Sequence, residues 1–361
     1  MTPATIQPVP ADTPSYDGPI LRCAGVLGVV DPHVSARRPA RRREPDWLAL
    51  TTGNLGQAAT VCRARGAAAL ITGDLTDRAR ETDLRTLSAL ARTLRGFAVP
   101  PLSNVGNHDL VDAVLSEGTA LALMRDAGLV RVAEHSGAMT LADIGGRRVA
   151  IGATPYGQAI PSDVTGAFDA LLAEAGWGRS ALDAVIWTTH HDVVTDPRSL
   201  YPGAVDAFPI AGCDLVLNGH IHSAQPTREV GGTMWLIPGN IVRQTIADAD
   251  HVEAVTVITV ESGRFTLETV PLDQERDVFD RTGRHADPLA PDDRDHDSPT
   301  PEAASVFVDL LKAEMATDLQ RSQDGALLAE DLHRLAAEMR LEPDVVAYLE
   351  DLRRTVVQGK A

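Results

Sequence analysis

The chain has 361 residues, 44% of them hydrophobic, and a formal net charge of −17 at pH 7. That composition builds a core large enough for one big domain with an appendage, or for two domains. The acidic balance argues against adhesion of the surface as a whole to nucleic acid or anionic membrane, while leaving room for a local basic site.

The first twenty residues carry no basic n-region and no apolar h-region, and no run reaches the length of a membrane span. A cytoplasmic protein without a membrane partner is therefore expected. Residues 1–19 read as an N-terminal tail. From residue 20 to 273, strand-like and helix-like patterns alternate, which is the signature of an α/β layer architecture. "AGVLGVVD" is a buried strand ending at Asp31. Trp47 to Arg65 has apolar positions at helical spacing and stops at Gly66, before the strand "AALIT". A second helix is predicted from Glu81 to Arg95, followed by a short strand leading to Gly106. "LADIGGRRVAIGAT" reads as a hairpin turning at Gly145 and Gly146. "AVIWTTH" and "DLVLNGH" are further buried strands, and "TMWLIPGN", "HVEAVTVITV" and "RFTLETV" are expected to add antiparallel ones.

Residues 274–301 form a Pro-rich acidic segment that reads as a linker. Between Asp273 and Glu302 there are ten acidic residues against four arginines. Residues 302–361 contain three amphipathic patterns, "ASVFVDLLKAEM", "GALLAEDLHRLAAEMR" and "PDVVAYLEDLRRTVV", and are expected to form a helical appendage. Cys23, Cys62 and Cys213 form neither a CxxC pair nor a dense framework and read as reduced, buried thiols.

Five strand ends carry metal-capable side chains: "DPH" (Asp31, His33), "GDLTD" (Asp74, Asp77), "GNHD" (Asn107, His108, Asp109), "THHD" (His190, His191) and "GHIH" (His220, His222). Side chains two apart on an extended chain point the same way, so His220 and His222 can converge. Taken singly, Asp31 or Asp74 is as well explained as a helix N-cap, and His190 with His191 as a buried hydrogen-bonded pair. Asp77 reads as a supporting or capping group rather than a ligand. Mixed imidazole, carboxylate and amide-oxygen donors favour Mn²⁺, Fe²⁺, Co²⁺ or Zn²⁺ over Mg²⁺, and a carboxylate such as Asp74 suits a bridge between two cations.

In this order the motifs resemble the calcineurin-like metallophosphoesterase superfamily (DxH, GDxx(D), GNH(D/E), H, GHxH) over roughly residues 20 to 272. The resemblance implies two stacked mixed β-sheets flanked by helices, and two divalent metal ions, Mn²⁺ foremost. It implies that Asp31, His33 and His222 hold one ion, that Asn107, His190 and His220 hold the other, and that Asp74 bridges them. His108 would assist the leaving oxygen, with Asp109 orienting it. His190 is taken as the ligand because in that family the first histidine ligates and its successor precedes proline; here Asp192 stands in place of that proline.

The implied activity is hydrolysis of a phosphodiester. "SARRPARRREPDW" places Arg37, Arg41, Arg42 and Arg43 in a loop directly after the first ligand pair, where guanidinium groups suit phosphate. The layout, with "PGNIVRQ" after the last ligand, is similar to SbcD/Mre11-like exonucleases of bacteria and phages. That points to DNA as substrate, to DNA repair, and to an ATPase partner docking on the C-terminal helices. The alternative is a small-molecule or cyclic-nucleotide phosphodiesterase, favoured by the acidic balance and the scarcity of aromatics for stacking bases. A scaffold without catalysis is disfavoured by the intact His108.

Overall fold

The computed structural model describes residues 13–280 apart from 112, 197–200, 202, 262–263 and 276–277. The helical appendage and all of the acidic linker beyond residue 280 lie outside the described residues. The chain divides into two compact units: 1–39, 44–199 and 204–278 form the first, and 40–43, 200–203 and 279–361 the second.

Within the first unit, β1 (Ser15–Asp17) turns back at Gly18 into β2 (Ile20–Cys23), and β3 (Gly25–Val29) follows. The expected tail is thus partly a strand, paired antiparallel with β2, and Tyr16 packs its ring under the Arg131 guanidinium, 4.1 Å away. Helix α1 (Trp47–Arg65) matches its predicted bounds. The Asp46 carboxylate accepts the Ala49 N–H at its start, and Gly66 takes the left-handed conformation at its end. After β4 (Ala67–Ile71), helix α2 (Leu84–Leu94) starts three residues later than predicted. The reason is local: Asp83 caps the Arg85 N–H while Glu81 accepts from the Asp83 N–H, so residues 81–83 are consumed by the cap.

The chain continues through β5 (Leu102–Ser103), α3 (Ala120–Asp126), β6 (Arg131–Val132), β7 (Gly137–Ile144), β8 (Arg147–Thr154) and α4 (Asp169–Ala175). Then come β9 (Ala184–His190), β10 (Val193–Val194), β11 (Val205–Asp206), β12 (Leu215–Gly219), β13 (Arg228–Val230), β14 (Thr233–Leu236), β15 (Ala254–Glu261) and β16 (Arg264–Pro271). One mixed sheet has the order β16-β15-β3-β4-β5-β6 and the other β1-β2-β7-β8-β9-β12-β14-β13. "TMWLIPGN", expected to add an antiparallel strand, pairs antiparallel with β13, and on its other side β14 runs parallel to β12, in register Leu215 to Met234.

Side-chain alternation along the strands builds three apolar layers. Val26, Ala68, Leu70 and Ile258 of the first sheet meet Ile151, Ile186, Leu215 and Leu217 of the second, which makes the contact between stacked sheets. Leu27, Val29, Ala69 and Ile71 point the other way, onto Leu55, Ala58 and Ala59 of α1 and Leu90 and Leu94 of α2. Ala150, Trp187 and Val216 cover the outer face of the second sheet with Phe168 and Leu172. The fold is α/β, two mixed sheets flanked by helices. Parallel β3, β4 and β5 in one sheet and parallel β8, β9 and β12 in the other bring their C-terminal ends to the loops that carry the five motifs.

Candidate metal centre

Three of the strands, β3, β4 and β12, break sharply where their ligand-type residues begin. Asp31, His33, Asp74 and His220 have φ of 46°, 42°, 51° and 72°, the left-handed region that non-glycine residues rarely occupy. The chain also approaches itself closely there: a Cβ on Gly106 would strike the Asp74 carboxylate and lie 2.5 Å from the Asp74 nitrogen, and one on Gly219 would lie 2.6 Å from Asp31 Oδ1. These glycines are required by contact rather than by backbone freedom.

The residues so placed form two nests. In the first, one ligand atom from each of Asp31, His33 and His222 lies within 4.8 Å of the others, and the Nε2 atoms of His33 and His222 are 3.2 Å apart. In the second, Asn107 Oδ1 is 3.0 Å from His190 Nε2 and 2.9 Å from His220 Nδ1. Asp74 Oδ2 lies between them, 3.6 Å from His33 Nε2 and 3.1 Å from His190 Nε2. His33 Nδ1 is buried without a hydrogen-bond partner. Converging imidazoles, carboxylates and an amide oxygen, with two ring nitrogens facing each other, suit divalent cations of the borderline class.

The surrounding contacts hold these groups in place. Thr72 donates to Asp31 Oδ1 at 2.9 Å, and the His220 N–H donates to Asp31 Oδ2 at 2.7 Å. Asp109 does not orient the His108 ring as the resemblance implied. Its carboxylate accepts the backbone N–H groups of Asp74, Leu75 and Gly106 at 2.8, 3.1 and 2.9 Å, so it fixes the two loops, and His108 Nδ1 donates instead to the Asp77 carbonyl at 2.9 Å. His190 Nε2 faces the centre, whereas His191 points away from it: its Nε2 donates to the Gln158 carbonyl at 2.8 Å and its Nδ1 accepts the His190 N–H. Tyr156 places its ring 5.5 to 6.1 Å from those of His190, His191 and His220.

Electrostatics separate the imidazoles. Burial pushes His33 well below its ordinary pKa and lowers His222, and it takes His191 down to about 4. Burial also works against charge on His190 and His108, but the Asp74 and Asp31 carboxylates lift His190 to about 9, and Asp74 with Asp77 raises His108. Burial and the neighbouring Asp74 carboxylate raise Asp109 to about 7, a rise limited by its N–H donors.

Not all the predicted arginines are exposed. Arg37 and Arg43 are, and Arg41 is half-buried. Arg42 is 2% exposed, with its guanidinium 5.0 Å over the Phe279 ring. Thr72, the Asp77 carbonyl and Tyr156 were not singled out as supporting groups by the sequence; only Asp77 and Asp192 carried any signal, as a second carboxylate in "GDLTD" and as a departure from proline.

Residues 47–224 match the family model of the calcineurin-like phosphoesterase. Asp31 and His33 precede that match and are tied to it by the Asp31–His220 and His33–His222 contacts. No curated protein matches the chain. Among solved structures, a 5'-nucleotidase precursor from Thermus thermophilus is similar at 12% identity and a TM-score of 0.42, covering 69% of this chain and 54% of that one. Haemophilus influenzae NAD nucleotidase is similar at 12% identity and 0.40, covering 80% and 55%. A hypothetical protein of Thermus thermophilus gives 13% and 0.38, covering 68% and 98%. This chain thus spans about half the length of the first two. The family match falls on the loops that bear Asp74, Asn107, His190, His220 and His222, so residues 47–224 of the chain carry a calcineurin-like phosphoesterase domain.

Proposed function

We propose that the protein hydrolyses phosphodiesters with two divalent cations, Mn²⁺ foremost, held by Asp31, His33 and His222 on one side and by Asn107, His190 and His220 on the other. The observation that carries this is the position of Asp74 Oδ2 within 3.6 Å of a ring nitrogen in each nest, where a single carboxylate can serve both ions. Such a pair, when bound, activates a water and offsets the charge of the phosphate oxygens. The protein's own groups do the rest. Asp109 locks the Asp74 and Gly106 loops together through three N–H bonds. His108 has Nδ1 committed to the Asp77 carbonyl, which leaves Nε2 as the nitrogen able to pass a proton to the leaving oxygen.

DNA is the proposed substrate, read by the exposed guanidinium groups of Arg37 and Arg43, together with Arg41. Arg42, buried over Phe279, cannot contribute a phosphate contact without leaving that ring. That burial, with the net charge of −17, favours a second reading in which the substrate is a small or cyclic-nucleotide diester. One preparation should be assayed with Mn²⁺ on bis-p-nitrophenyl phosphate, cyclic AMP, and linear single- and double-stranded DNA. The variant carrying Arg37→Ala, Arg41→Ala and Arg43→Ala is expected to lose DNA cleavage, with the salt slope of DNA affinity falling by about 0.7 to 0.9 per lost contact, and to keep hydrolysis of the small diester. Wild-type DNA cleavage by this variant across salt concentrations removes the arginines from the DNA reading, and cyclic AMP hydrolysis without DNA cleavage decides for the second reading.

A further inference from the structure

His220 is gripped from three directions. Its backbone N–H donates to Asp31 Oδ2 at 2.7 Å, its Nδ1 faces Asn107 Oδ1 at 2.9 Å, and its Nε2 lies 3.0 Å from Asp192 Oδ1. The last contact comes from the position where the resembling family has proline, a residue with no side-chain acceptor. An ionised carboxylate only accepts, so the partner nitrogen must carry the hydrogen. A neutral imidazole has one N–H; of the two acceptors on the ring the carboxylate is the stronger, which places the hydrogen on Nε2 and leaves on Nδ1 the lone pair that faces the Asn107 oxygen and the second nest.

We propose that Asp192 is a positioning residue: it fixes His220 in the Nε2–H tautomer and in the ring orientation that presents Nδ1 to the second cation. This rests on the reading of His220 as a ligand. The Asp192 side chain is 40% exposed while that of His220 is 6% exposed, so the carboxylate keeps part of its hydration as it holds a buried ring. It is supplied by the turn between β9 and β10, two residues beyond His190, so that turn serves two ligands of one nest: His190 directly and His220 through its far nitrogen. In metal sites generally, such a carboxylate behind a ligating histidine sets the tautomer and raises the basicity of the ligand, and its loss weakens metal binding by about 10- to 100-fold.

The test measures metal stoichiometry and affinity by titration calorimetry with Mn²⁺ on the full chain, beside the His220 tautomer from ¹⁵N–¹H correlation spectra of the metal-free protein. Wild type is expected to bind two ions and to show His220 protonated at Nε2. Asp192→Ala should bind the first ion unchanged and the second about 10- to 100-fold more weakly, with a mixture of tautomers. Asp192→Asn keeps an acceptor oxygen and should recover most of that loss, which a defect of folding would not permit. His220→Ala separates the two levels of the argument. Should it lose one ion while Asp192→Ala binds both as tightly as wild type, Asp192 has no positioning role although the metal assignment stands. Should His220→Ala still bind both ions at full strength, the ligand assignment and the proposal fall together. An Asp192→Asn variant as weak as Asp192→Ala also overturns it, since an acceptor would then not be what matters.

Discussion

At the scale of single residues, the centre uses side-chain types that satisfy two demands at once. Asp31, His33, Asp74 and His220 bear ligand-type atoms and also sit at positive φ, where Asp and His are among the few non-glycine residues found with any frequency. Asp74→Ala is expected to abolish both metal occupancy and turnover, because it removes the oxygen between the nests. His108→Ala should keep its metals and lose roughly two to four orders of magnitude in turnover. Metal analysis of both purified variants beside their kinetics checks this. The contrast is demanding, since His33, Asp74 and His108 also lie close enough together to hold an ion; loss of metal from His108→Ala would make His108 a ligand. The ligand-type residues were legible in the sequence because they are chemically conspicuous and close five strands in a fixed order. Their supports were less so: His108 is oriented by a backbone carbonyl, which every residue has, and Thr72 looks like any strand-end threonine.

At the scale of elements, α1 was legible to the residue because an N-cap aspartate and a left-handed glycine bracket its apolar spacing. The strands β1, β6, β10, β11 and β13 were not, being two or three residues long and held by neighbours distant in sequence. The parallel partner of β14 was not foreseen for a related reason: pairing with β12 is decided by the sheet as a whole and leaves no mark on a four-residue strand. Glycines show how differently elements respond to one methyl group. In β8, a Cβ on Gly152 would enter the Trp187 ring and lie 2.9 Å from the Gly137 carbonyl oxygen, so Gly152→Ala is expected to cost about 1–3 kcal/mol. In the exposed interior of α1, a Cβ on Gly53 meets nothing within 4 Å, and Gly53→Ala should stabilise by about 0.5–1 kcal/mol. Urea unfolding of both variants measures the difference; a neutral Gly152→Ala would mean that β8 and β9 part more easily than their packing indicates.

At the scale of the whole molecule, the motif-bearing unit is readable from strand ends, while the amphipathic patterns of residues 302–361 lie outside the described residues. No helix among the described residues is long and apolar enough to cross a membrane. The free thiols fit a core closed to solvent, since burial pushes Cys23 and Cys213 up to about 12, far from the range in which they would react.

The bonds His220 N–Asp31 and His33–His222 each join residues 189 apart in the chain. Closing a loop of that size costs on the order of 5 kcal/mol before any contact within it is rewarded. A cation acting on the unfolded chain would have to close that loop itself, so the first nest is expected to be gathered by docking of the sheets. The consequence is kinetic. Added Mn²⁺ should leave the refolding rate unchanged and slow unfolding, because the ion binds a geometry completed after the rate-limiting barrier. Stopped-flow refolding and unfolding with and without Mn²⁺ resolve the two limbs, and an accelerated refolding limb would place the ligand loops inside the folding nucleus.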